Sequence, residues 1–138
     1  MNQVVYVSRG GNTKKLADTV AKAINASASS VEQIQLLSDI DILFVGVSLY
    51  AGDIDKKMRN FLGELKPTQV KKVVVFSTSA TGKSGLDIIK TILEPNGIAV
   101  LEEEFYCKGS FLLANRGKPN AEDLEEAAVF AQKVVSKN

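Results

Sequence analysis

The 138-residue chain contains no histidine and only one cysteine, Cys107. Without histidine it lacks the side chain that most often moves protons near neutral pH and most often binds metals. Proton-transfer catalysis by the protein itself is therefore disfavoured, and no zinc-ligand spacing can be written. A single cysteine excludes an internal disulfide framework. No apolar run approaches the roughly 20 residues that a bilayer-crossing helix needs. The chain enters a strand almost at once, which leaves no room for a cleavable signal, so a cytoplasmic location is the default expectation. Charges nearly balance at +1, with no basic stretch longer than a pair, and this disfavours a nucleic-acid partner. Any redox chemistry must be carried by a bound cofactor.

A chain of this length, 45% hydrophobic and 24% charged, makes one domain spanning residues 1–138. Apolar, β-branched runs near residues 3–7, 41–47, 72–76 and 98–106 alternate with segments of helical spacing, a β/α pattern. Leu16, Val20, Ala23 and Ile24 share one face of the first helix, with Lys14, Lys15, Asp18 and Lys22 outward; Ile54, Met58, Phe61, Leu62 and Leu65 line the second. A third helix over 86–93 stops at the breaker cluster Glu94-Pro95-Asn96-Gly97. A fourth starts behind the N-cap Asn120, with Asp123 at its third position, and runs to Val135. The three near-continuous apolar runs read as central strands covered on both faces. Segment 31–36, with polar residues between its apolar ones, and the last strand, carrying Glu102 to Glu104, read as the two edges.

In an open parallel sheet, ligands sit beyond the carboxyl ends of the strands where the strand order reverses. Three such ends carry unusual turns. Ser8-Arg9-Gly10-Gly11-Asn12-Thr13 joins the first strand directly to the first helix. Paired glycines let the backbone curl around an anion, Ser8 and Thr13 bring hydroxyl donors, and the helix start adds free N–H groups and a positive dipole end. The second turn, Ser48-Leu49-Tyr50-Ala51-Gly52-Asp53, puts an aromatic ring just past a buried strand, where it either stacks on a flat ligand or folds over the rim of the core. The third, Ser77-Thr78-Ser79-Ala80-Thr81-Gly82, is small and hydroxyl-rich and suits a polar ring edge. Together they define a cleft for a phosphorylated ligand with a planar ring. Tyr106, Cys107 and Lys108 lie at the end of the last strand, and the loop beyond them borders this cleft. Cys107 reads as a small buried hydrophobe, and Phe111, Leu112 and Leu113 as core or loop anchors.

The first turn resembles the flavodoxin phosphate loop, Thr/Ser-x-Thr-Gly-Asn-Thr, and the three-loop layout is similar to that family over nearly the whole chain. The resemblance implies a doubly wound, five-stranded parallel sheet of order 2-1-3-4-5, a three-layer sandwich. It also implies non-covalently bound FMN, electron transfer through the flavin, and transient docking with redox partner proteins, a reductase and an acceptor. The FMN phosphate would sit on the first turn and the ring between the second and third, with the Gly52-Asp53 peptide turning toward the flavin on reduction. Departures from the pattern are Gly10 in place of the second hydroxyl, Arg9 beside it, either near the anion or in solvent, and no aromatic residue in the third turn. One flavin face is then open, which keeps an FMN-dependent reductase or oxidase of quinones or protoporphyrinogen as an alternative, and the loss of a phosphate donor at Gly10 keeps a flavin-free scaffold as another.

Segment 77–84 approaches the nucleotide-binding pattern Gly-x-x-x-x-Gly-Lys-Ser/Thr but fails at its first glycine. Nothing in the sequence sets an oligomeric state. Electron-carrier flavodoxins are strongly acidic and this chain is not, so a reduced, anionic flavin would meet less repulsion. The second reduction step is therefore expected at a less negative potential than in acidic relatives; a redox titration returning an equally low potential would refute this.

Overall fold

The structure is a computed structural model in which residues 1–35, 38–110 and 114–138 are described. Five parallel strands run β1 (Asn2–Tyr6), β2 (Ala28–Ser30), β3 (Ile40–Leu49), β4 (Val70–Ser79) and β5 (Ala99–Lys108). Their order in the sheet is β2-β1-β3-β4-β5, the predicted 2-1-3-4-5. Between them lie helices α1 (Asn12–Ala23), α2 (Lys56–Gly63) and α3 (Leu86–Leu93), followed after β5 by α4 (Ala121–Lys137).

The sheet is apolar on both faces because each central strand alternates its side chains between two cores. Val5, Leu43, Val45, Val73 and Val75 point to one side, where they meet Met58 and Leu62 of α2 and Ile89 and Leu93 of α3. Val4, Ile42, Phe44, Val74 and Phe76 point to the other, against Leu16, Ala17 and Val20 of α1 and Ala127, Ala131 and Val134 of α4. Ala23 and Ile24 are half-buried, at the margin of the predicted stripe.

Helix ends follow local chemistry. The Asp55 side chain accepts the Lys57 N–H at 2.8 Å and caps α2. At α4 the predicted box is formed: Asn120 accepts from Asp123 N–H at 2.9 Å, and Asp123 from Asn120 N–H at 2.9 Å. α3 occupies its predicted span and gives way to a short 3-10 turn at Glu94–Asn96.

One element differs. The edge strand expected over 31–36 is instead Ala28–Ser30, in register with Val4–Tyr6, and residues 31–33 form a turn; Leu36 lies outside the described residues. Val31 and Ile34, which drew the assignment, pack as turn residues against the α2–α3 core. The second edge is β5, as expected, where Glu102 and Glu103 are exposed and the pairing with β4 shifts register between Val73 and Val75.

Gly46 lets α1 approach the sheet. A Cβ there would enter the Phe76 ring and come within 3.2 Å of the Thr13 methyl. Both neighbours are fully buried and have nowhere to move. Gly46→Ala should therefore cost about 1–3 kcal/mol by overpacking, read as a lower denaturant midpoint, with partial recovery in Gly46→Ala/Phe76→Leu. An unchanged midpoint in the single variant would contradict this packing.

Candidate functional site

The strand order reverses between β1 and β3, and the turns after β1, β3 and β4 converge there on a cleft of about 580 Å³. Every predicted turn contributes to it: Arg9, Gly10 and Asn12 from the first, Ser48 to Ala51 from the second, Thr78 to Ala80 from the third. The sequence-predicted residues Ser8, Gly11, Thr13, Gly52, Asp53, Ser77, Thr81 and Gly82 stand behind or beside this lining.

Several of those hold the turns in shape. In the first turn the Gly11 N–H donates to the Ser8 hydroxyl at 3.0 Å, and Gly11 takes a left-handed φ of 89° as the N-cap of α1. No side chain caps α1. The N–H groups of Arg9, Gly10, Asn12, Thr13 and Lys14 meet no acceptor among the described residues. Five such amides at a helix start make a concave, electropositive nest, the natural complement of a phosphate.

Thr13 does not face the cleft. It is fully buried, and its hydroxyl bonds to that of Ser48 and, at 3.3 Å, to that of Thr78; Ser48 and Thr78 are 3.0 Å apart. Three hydroxyls thus tie the start of α1 to the ends of β3 and β4. In the third turn Ser79 accepts the Lys83 N–H at 2.6 Å and Ser77 accepts the Gly85 N–H at 3.2 Å, so both side chains serve the turn. Ser84 is spoken for as well: its hydroxyl donates to Glu104 and accepts from Leu86 N–H.

In the second turn Tyr50 and Asp53 exchange backbone hydrogen bonds of 2.8 and 3.0 Å. Ala51 and Gly52 between them are both left-handed, φ 52° and 79°, an arrangement that strains alanine. Because the Asp53 N–H is bonded to Tyr50, turning the Gly52–Asp53 peptide breaks a hydrogen bond. The central Ala51–Gly52 peptide is tied by none among the described residues.

Arg9 lines the cleft and stays largely exposed, with its guanidinium engaged by the protein. Its guanidinium lies 4.3 Å from the Tyr50 ring centroid, and its Nε donates to Asp55 at 2.9 Å. A planar ligand therefore stacks on the free face of Tyr50 or displaces the arginine. The Asp55 carboxyl is held below its ordinary range, first by the Lys57 N–H and then by Arg9.

A fourth wall closes the cleft. Gly109 and Ser110, just past β5, line it, and Asn12 latches Ser110 through two bonds, Nδ2 to the carbonyl at 2.8 Å and Oδ1 from the hydroxyl at 3.2 Å. The expected border from this loop is thus present, although sequence reasoning did not single out these two small residues. Phe111, Leu112 and Leu113 lie outside the described residues. Cys107 packs against the α1–α4 core, and burial, reinforced by Asp123, pushes its thiol up to about 11, so it stays protonated and unreactive at neutral pH.

Thr13→Val keeps the shape of the side chain and deletes its buried hydroxyl. Loss of this tie should cost about 1–2 kcal/mol, a fall of several degrees in melting temperature. A variant as stable as the parent would show that the hydroxyl cluster holds nothing together.

Comparison with known proteins agrees with the geometry. The flavodoxin domain model matches residues 3–127, about nine-tenths of the chain. An uncharacterised protein of Methanocaldococcus jannaschii is 27% identical over 142 aligned positions, covering 90% of each chain. A solved flavodoxin from the domain Archaea superposes with TM-score 0.78 at 22% identity, over 99% of this chain and 96% of that one. The Streptococcus pneumoniae TIGR4 flavodoxin gives 0.74 at 21% identity, over 99% of both. With a family match running from β1 into α4, the 2-1-3-4-5 sheet and three turns meeting at its switch point, this chain belongs to the flavodoxin-domain family.

Proposed function

We propose that the chain binds FMN without a covalent bond and carries electrons between redox partner proteins. The observation that carries this reading is the run of unpartnered amides between Arg9 and Lys14, in a turn whose Arg9, Gly10 and Asn12 line a cleft with Tyr50 also in its wall. The residues present fit the cofactor. Backbone N–H groups replace the hydroxyl missing at Gly10, and the cleft volume lies in the ordinary range for small-molecule sites.

FMN, when bound, supplies the one- and two-electron chemistry that the side chains lack. The chain's own residues bind and orient it. The first turn takes the phosphate, Tyr50 presents a ring face, and the backbone at Thr78 to Ala80 with Gly109 and Ser110 borders the ring edge. In this reading the peptide free to turn toward the flavin is Ala51–Gly52 rather than Gly52–Asp53, because only the latter is anchored.

The lining also favours a carrier over a reductase of small substrates. Among the described residues the lining holds no carboxylate, thiol or imidazole side chain. Among the described residues no helix is long and apolar enough to cross a membrane.

The test is a fluorescence and absorption titration with FMN, riboflavin and ATP. Two or more charge-assisted bonds to the phosphate predict FMN binding at least about 100-fold tighter than riboflavin, and weak ATP binding. Loaded protein should add little to the rate at which free FMN passes electrons from reduced nicotinamide to quinones. Equal affinity for FMN and riboflavin removes the phosphate nest from the account; no flavin binding removes the function.

A further inference from the structure

The near-neutral total charge conceals a polarised molecule. The carboxyl edge, taken as residues 7–15, 31–35, 50–59, 80–89, 108–110 and 114–124, carries ten of the seventeen cations and six of the sixteen acids. That is a surplus of four; the rest of the chain has a deficit of three. Four of the six acids are tied to edge cations: Asp55 to Arg9, Glu32 to Lys57, Asp53 to Arg59 and Asp123 to Lys118. A phosphate ester would be met at the first turn, at one side of the cleft.

The other side holds a cation group without such compensation. Lys83 follows Gly82, and the Lys108 stem packs near Gly82, 3.5 Å from where a Cβ would stand. The Asn115 amide donates to Ala80 O at 2.6 Å, which places the neighbouring Arg116 on the same wall. All three cations are exposed, and none has an ion-pair partner among the described residues. Of the acids near this group, Glu104 is bonded to Ser84, Asp123 is paired with Lys118, and Asp87 stands exposed on the first turn of α3.

An aromatic ring lies beside them. Phe105 and Cys107 pack into the α1–α4 core, so by strand alternation Tyr106 and Lys108 face the opposite side of the sheet. There α3 begins only at Leu86, and Tyr106 is 49% exposed, one of few large apolar side chains so open. A tyrosine flanked by arginine and lysine has the make-up of a protein-docking anchor.

The geometry points to this wall, with Tyr106 and Lys108 on β5, Lys83 after β4 and Arg116 on the following loop, as the docking surface for a partner protein with an acidic face. The inference rests on the electron-carrier reading, since an exchange partner must reach the open edge of the cleft. Positive charge there steers an acidic partner inward and turns a basic one away.

The experiment follows the amide spectrum of the ¹⁵N-labelled full chain, with and without FMN, during titration with an acidic plant-type ferredoxin and separately a basic c-type cytochrome. Expected are shifts or broadening confined to residues 80–84, 106–109 and 115–118 with the ferredoxin only. The affinity should fall about ten-fold or more when salt rises from about 50 to about 300 mM, and similarly in Lys83→Glu/Lys108→Glu. That double variant should keep its FMN affinity, because neither side chain lines the cleft. Loss of FMN binding in the parent chain would sink the carrier reading while leaving the spectral map of the flavin-free protein to decide the surface. Perturbation elsewhere, preference for the cytochrome, or tighter binding of a short oligonucleotide or an anionic vesicle overturns the proposal.

Discussion

Thr13, Ser48 and Thr78 bond to one another through their hydroxyls, and this small knot is what the carboxyl edge is built around. Each comes from a different element, the start of α1 and the ends of β3 and β4. Thr13 and the Phe76 ring both pack against the bare backbone of Gly46, where a Cβ would meet the ring and come within 3.2 Å of the Thr13 methyl. At the first turn of α1, Asn12 lines the cleft and meets Ser110 from beyond the end of β5. Polar groups buried in this way cost free energy unless satisfied, so the geometry is held tightly once formed.

Much of this organisation was legible in the chain. Near-continuous apolar runs marked the three central strands because both faces of a parallel sheet are covered, and Asn120 with Asp123 marked the start of α4 because a capping box is local chemistry. The three turns were legible for a similar reason: glycine pairs, a loop tyrosine and a hydroxyl cluster each stand just beyond a buried run. What stayed hidden depended on partners distant in sequence. Strand β2 is three small residues paired only to β1, with no periodicity to read, whereas Val31 and Ile34 mimic a strand from within a turn. Arg9 could not be placed because its partners, Tyr50 and Asp55, lie more than forty residues away. Gly109 and Ser110 became part of the cleft only through the latch to Asn12.

Charge shows the same division between local and global information. A net value of +1 and the lack of basic runs spoke against a nucleic-acid partner, yet folding gathers a surplus of cations at the edge where the cleft opens. The sorting bears on both parts of the proposed function. A positive edge favours an anionic ligand and an anionic reduced ring within it, and it selects an acidic surface outside it. In both cases the backbone and the long side chains of surface loops supply the field.

The central claim is that the edge has its ligand-ready shape before any ligand arrives, because the hydroxyl knot holds it. Amide hydrogen exchange on the flavin-free protein tests this directly. The account predicts slow exchange at the ends of β3 and β4, with protection at Ser48 and Thr78 close to that of the core strands and little changed by FMN. Rapid exchange there in the flavin-free protein, with protection appearing only on FMN addition, would mean that the ligand builds the site, and would contradict the account.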